Sequence, residues 1–137
     1  MDKVFVTDQE ISAAHLATLV QDNKSGAVVT FSGEVRNHDG GKDVSTLTYE
    51  IHPSAQDVLL SVVAEVAANF AINDVAVAHR YGDIAIGVCA FAVAVSADHR
   101  EAAFDACSAL VNTVKEKLPI WKHQVFTDGS DQWVNFA

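Results

Sequence analysis

Positive charge is scarce in this sequence. Nine lysines and arginines stand against eighteen aspartates and glutamates in 137 residues, a formal net charge of −9. Such a chain repels polyanions, which argues against general binding to nucleic acid or to an anionic membrane surface. Long apolar runs are missing too. The longest, "VCAFAVAV" at residues 88–95, falls far short of the ~20 residues a membrane-spanning helix needs. The N-terminus lacks a basic stretch followed by an apolar one, so no signal peptide is expected and the cytosol is the default compartment. Cysteine is limited to Cys89 and Cys107, one in an expected strand and one in an expected helix. Both read as free core thiols. No His-x-x-x-His pair falls on a helical stretch, no Cys/His spacing fits zinc, and no serine sits in a nucleophile elbow. Neither a metal nor a cofactor is expected.

What remains is an ordinary globular composition, with 50% hydrophobic and 20% charged residues. A chain of this length builds one core, so residues 1–137 are expected to form a single domain. "KVFVT" reads as a short strand, and "TDQE" at residues 7–10 has capping-box spacing, which predicts a helix through Ile11, His15, Leu16, Leu19 and Val20. Residues 26–36 predict a strand rich in β-branched side chains, and residues 44–52 its return partner across the polar turn "NHDGGKD". Pro53 and Ser54 open a second helix, with Val58, Val62, Val66 and Phe70 stepping by four.

Two further strands flank residues 82–87. Asp98 then predicts the cap of a third helix, with Glu101 three residues on and an apolar stripe of Phe104, Cys107, Val111, Val114 and Leu118. Pro119 ends that helix, and "IWKHQVFT" and "QWVNF" predict a closing hairpin around "DGSD". Three helices and about seven strands in mixed order make an α+β fold, with helices packed on largely antiparallel sheet.

The few cations cluster near the expected element ends. Arg100, beside His99, opens the third helix, where the unpaired N–H groups already carry partial positive charge. Either Asp98 and Glu101 neutralise it locally, or Arg100, His99 and the free N–H groups form an anion site suited to phosphate. Lys115 and Lys117 in a last helical turn fit capping cations. Lys122 differs: strand alternation puts it on the face of Ile120, opposite Trp121. A lysine partly desolvated at an apolar corner has a lowered pKa and can exchange protons or act as a nucleophile. Arg36 ends a strand, with His38 two residues on and on the same face. Asp39-Gly40-Gly41 is a hairpin turn and no phosphate-binding loop, since the spacing is wrong and no helix follows.

Taken in order, "GAVVTFSGEVRNHDGG", "LTYE", "HRYGDIAIG", "VSADHREAAFDA", "VKEKLPIWKHQ" and "DGSDQWV" resemble the large, catalytic subunit of molybdopterin synthase over nearly the whole chain. The most specific part is "SADHREAAF" followed by "KEKLPIWK". The resemblance implies an α/β-hammerhead-like fold and a sulfurtransferase that converts a cyclic pyranopterin monophosphate to the molybdopterin dithiolene. It implies a partner, a small ubiquitin-like carrier protein whose C-terminal Gly-Gly thiocarboxylate donates the sulfur. It also implies a homodimer flanked by two carriers, a heterotetramer. Lys115 and Lys122 are then the catalytic residues, with Arg36, His99 and Arg100 around the pterin and its phosphate. His38, Glu50 and Trp121 are secondary candidates. The chain departs from the family pattern at His123 and Gln124, where a basic residue and Glu are usual, at Val88, in "YEIHPSA", and in its short end after "QWV".

Geometry adds one expectation. His99 and Lys115 are sixteen positions apart on one helix, ~24 Å by helical rise. Serving one small substrate therefore requires the His99–Arg100 end of a second subunit. The alternative to catalysis is a binding module that uses the same cations for a phosphorylated metabolite or an acidic protein tail.

Overall fold

The structure, a computed structural model, describes residues 3–135. Its strands fall into two sheets. In the first, β1 (Val4–Thr7), β5 (Asp74–Arg80), β7 (Cys89–Ala97) and β2 (Ala27–Glu34) lie in that order; β1–β5 is parallel and the other pairs are antiparallel. The second holds β3 (His38–Asp39), β4 (Lys42–Ile51), β8 (Ile120–Phe126) and β9 (Asp131–Asn135), all antiparallel, with β6 (Gly82–Asp83) paired to β4. Three helices complete an α+β architecture: α1 (Ala13–Leu19), α2 (Ala55–Ala67) and α3 (Arg100–Lys117). None of the described helices is long and apolar enough to cross a membrane.

Side-chain size along β5 and β7 explains how the first sheet carries helices on both faces. The two strands alternate alanine with valine. Ala76, Ala78, Ala92 and Ala94 make one shallow face, on which Ile11, Leu16 and Val20 pack from α1 and its flanks. Val77, Val93 and Val95 make the other and join Leu59, Val62 and Val63 of α2 and Ala103, Ala106, Leu110 and Val114 of α3 in the main core. Period-two alternation thus sorts small from branched side chains. The short α1 reaches its sheet only because the alanines leave room.

Several expectations are corrected at the level of single residues. The capping box at residues 7–10 does not start α1. Ser12 does, with its Oγ accepting from the His15 N–H at 3.0 Å. Nor does Asp98 cap α3: the N-cap is His99, without a side-chain cap bond, while Asp98 accepts from Asn73 Nδ2 at 2.8 Å. Phe104 is no part of the core stripe. It is 59% exposed, and the buried face of α3 runs Ala103, Ala106, Cys107, Leu110, Val114. In α2 the deepest residue is Leu59, with Val58 only partly buried and Phe70 beyond the helix. β2 stops at Glu34, so Arg36 lies in the connection to β3 rather than at a strand end. The strands number nine among the described residues, because β3 and β6 are two-residue pairings too short to read from pattern. The glycine turn forms, with Gly40 and Gly41 at positive φ, 57° and 80°, but it closes the two-residue β3–β4 hairpin. Residues 44–52 are not the return partner of β2, which pairs with β7 in the first sheet while β4 pairs with β8 in the second.

Gly26 locks β2 against the start of α3, because a Cβ there would stand 2.6 Å from the Asp98 carbonyl oxygen. That contact is with backbone, which cannot swing aside. Gly26→Ala is expected to destabilise the protein by about 1–3 kcal/mol, read as a lowered denaturation midpoint. An unchanged midpoint would mean that the β2–α3 junction yields freely.

Candidate active site

The two sheets meet around a recess of about 330 Å³, into which Arg36, His38, Tyr49, His79, Lys115, Lys122 and Gln124 project from five parts of the chain. The chain bends at Pro119 to build one side of it. Leu118 and Ile120, each 1% exposed, anchor the bend, and the Ile120 N–H donates to the Leu118 carbonyl at 2.8 Å. Lys115 therefore projects from the last turn of α3 while Lys122 comes from β8, and both line the same recess. On β8 the alternation holds: Ile120, Lys122 and Gln124 share one face. Across the ladder Lys122 is paired with Tyr49 and Gln124 with Leu47. Arg36 is set by the backbone on either side of it. The Val35 N–H donates to Val88 O at 3.1 Å, Val35 O accepts from the Gly87 N–H at 2.7 Å, and Asn37 O accepts from the Val44 N–H at 2.8 Å.

Electrostatics in the recess follow from burial and crowding. Burial pushes the Lys122 ammonium below the ordinary lysine range; Arg36 and Lys115 push it the same way, and Asp39 opposes them. The Gln124 amide, donating to Asp39 at 2.7 Å, holds the Asp39 carboxyl below its usual value, with Lys122 and Arg36 assisting against burial. Burial raises the Tyr49 phenol to about 12, so it enters the recess as a neutral donor.

Of the residues singled out from sequence, Lys115, Lys122, Arg36 and His38 come together in the recess. Glu50 and Trp121 do not line it. They are register partners on β4 and β8, in the opposite strand phase to Tyr49 and Lys122, with Glu50 exposed. His99 and Arg100 are exposed at the far end of α3 and reach no part of this recess within the chain. Among the described residues, no group of three His, Cys, Asp or Glu side chains is placed to hold a metal ion.

Two recess residues carry no signal in the sequence beyond membership of a strand. Tyr49 looks like one position of an alternating β4, and His79 like a polar interruption of β5. His79 is 1% exposed, stacked on Phe91 at 5.2 Å and edge-on to Tyr49 at 5.1 Å. Its Nδ1 donates to the Arg80 carbonyl at 2.9 Å, while Nε2 has no hydrogen-bond partner among the described residues. Burial lowers its pKa to about 4, with the Arg80 bond opposing and Lys115 adding to the effect. The ring is therefore neutral at the base of a cationic site.

That buried neutral histidine makes stability pH-dependent. Its folded value lies below the 6.5 of an exposed histidine, so the unfolded chain takes up the proton first. Stability is full above pH 6.5 and falls as the pH drops toward 4, by about 3 kcal/mol for this group. Denaturant titrations at pH 7 and pH 4.5 should show a smaller loss in His79→Phe than in the parent. Equal losses would mean that His79 is protonated in the folded state.

Comparison with known proteins agrees with this architecture. The MoaE protein family matches residues 6–117. The molybdopterin synthase catalytic subunit of Nostoc sp. is 36% identical over 99% of this chain and 84% of its own length. That of Thermoplasma volcanium is 34% identical over 95% and 96%. The crystal structure of molybdopterin synthase from Staphylococcus aureus superposes with a TM-score of 0.90 at 28% identity, covering 98% of both chains. With the family model matched over most of its length and relatives above 30% identical across nearly all of it, the chain belongs to the MoaE family, that of the molybdopterin synthase catalytic subunits.

Proposed function

We propose that this protein is the catalytic subunit of a molybdopterin synthase. In this reading it transfers sulfur from the C-terminal thiocarboxylate of a small ubiquitin-like carrier to a cyclic pyranopterin monophosphate, forming the dithiolene. The observation that carries the reading is the convergence of Lys115, Lys122 and Arg36 on one recess of a protein whose net charge is −9. Both reactants are anions, one through its phosphate and one through its thiocarboxylate. Bringing them together costs Coulomb repulsion unless fixed cations stand between them.

The division of labour follows from position. The thiocarboxylate sulfur bonds to the pterin side chain as oxygen leaves it as water, and a second water then attacks the acyl carbon. Lys115 and Lys122 polarise that carbonyl and stabilise the oxyanion, which collapses to release the carrier as its carboxylate and leave the sulfur on the pterin. Lys122, whose ammonium is weakened by burial, also exchanges protons as water leaves the pterin side chain. Arg36 and His38 at the mouth hold the phosphorylated substrate, and the neutral Tyr49 donates a hydrogen bond from the wall.

His99 and Arg100 enter this scheme from a second copy of the chain. Neither makes a side-chain hydrogen bond or ion pair among the described residues. One turn on from Arg100, the exposed Phe104 borders a shallow groove with Val29, Phe31 and Val111. An apolar groove beside an unpaired arginine and histidine suits a homodimer contact, across which the helix start of one subunit completes the recess of the other.

Two experiments test these assignments. Lys122→Ala and Lys115→Ala should each lower molybdopterin formation about 100- to 1,000-fold, while leaving folding and carrier binding intact. A variant that instead loses carrier affinity and keeps turnover would point to a docking role. For the composite site, Lys122→Ala is mixed with a His99→Ala/Arg100→Ala double variant under subunit exchange. Random pairing puts one intact site in each mixed dimer, so the mixture should recover about a quarter of the parent activity. No recovery despite exchange would place both groups in one subunit's site, and a double variant that is active by itself would place His99 and Arg100 outside the chemistry.

A further inference from the structure

Asp39 is a carboxylate set beside a recess made of cations. It lies in β3, next to the Gly40–Gly41 turn, with 28% of its side chain exposed. Gln124 holds it in place. That glutamine is 2% exposed on β8, and its Nε2 donates to Asp39 Oδ2 at 2.7 Å and to Gln132 Oε1 at 3.3 Å. A buried amide with both N–H bonds committed has one orientation open to it, and so has the carboxylate it binds. The second oxygen, Oδ1, is 3.5 Å from an Arg36 guanidinium nitrogen. Lys122 stands two residues from Gln124 on the same face of β8 and lines the same recess. The other acid at the recess, Glu34, is exposed and accepts from the Ser32 hydroxyl at 3.1 Å.

We infer that Asp39, oriented by the buried Gln124 amide and in contact with Arg36, is a positioning residue of this site, the nearby counter-charge that keeps the cations of the recess in place until an anionic substrate takes over that role. The groups that face Lys122 decide the sign. Burial disfavours its charge, as do Arg36 and Lys115 from α3, and the Asp39 carboxylate favours it. Tyr49 across the ladder and His79 beneath are neutral, and His38 lies at the mouth. Loss of one carboxylate therefore leaves only influences that drive the proton off. An arriving phosphate or thiocarboxylate replaces Asp39 as the counter-charge, so the cations are held ready without being consumed by the pairing.

The inference rests on the proposed sulfur transfer only for its effect on turnover, and the pairing is measured without it. Asp39→Asn keeps the size of the side chain and an acceptor for Gln124 but removes the charge. Reductive methylation of the folded protein, followed lysine by lysine by peptide mass spectrometry between pH 7 and 11, reports each ammonium. The labelling midpoint of Lys122 should fall by about one pH unit in Asp39→Asn, with that of Lys24 unmoved. The double variant Asp39→Asn/Gln124→Glu returns a carboxylate to the same contact from the other side and should move the midpoint back. An unchanged Lys122 midpoint in Asp39→Asn, or no recovery in the double variant, overturns the inference. In the synthase assay, Asp39→Asn should shift the pH dependence of kcat by the same interval. A parent protein with no turnover there counts against the sulfur-transfer reading and leaves the labelling result to decide this one.

Discussion

The bend from α3 into β8 governs where the cations go. Leu118 and Ile120 are buried on either side of Pro119, and fully burying side chains of this size stabilises by about 1.5–3 kcal/mol each. That apolar anchoring offsets an arrangement that is otherwise unfavourable: two lysines and an arginine brought to one partly desolvated recess. The cations do not hold the corner together. The corner holds the cations, and its hydrophobic contacts supply the free energy that like charges oppose.

The rest of the recess extends the same logic. The β4–β8 ladder fixes the strand phase of Lys122 and Gln124 by setting Tyr49 and Leu47 opposite them. Backbone bonds on both sides of Arg36 fix the segment from which it projects. The neutral His79 and Tyr49 fill the interior, where further charge would be costly to desolvate. Outside, the acidic surface repels large polyanions, while the recess offers small ones a local positive potential. A protein of negative net charge can thus select anions by size.

Sequence pattern read the larger elements correctly and erred where a local signal had competitors. Residues 7–10 satisfy the spacing of a capping box, yet Ser12 caps α1 because Ile11 and Leu16 must reach the alanine face of the first sheet. Asp98 matches a cap by type but is engaged by Asn73 across the loop, which leaves His99 at the helix start with its ring free. Phe104 fits the helical spacing of an apolar stripe but lies outside the core. Packing selected the smaller Ala103 and Ala106, because α3 lies close to β2 and β7 and has no room for a ring. In each case tertiary packing outweighed a propensity of about a kilocalorie.

By itself, the sequence determined the α+β class, the order of the long elements, the closing hairpin and the identity of the cations, since periodicity, turn residues and charge are local properties of the chain. It also carried the ordered motifs by which the family is recognised. Only the tertiary structure decided that Lys115, Lys122, Arg36 and His38 share one recess, that Glu50 and Trp121 do not line it, and that Tyr49, His79, Gln124 and Asp39 matter there. The physical reason is that a recess is defined by strand register and by what is excluded from it. Whether a polar side chain on a strand meets water, a neighbour or a substrate depends on residues up to 85 positions away, as Asp39 and Gln124 are.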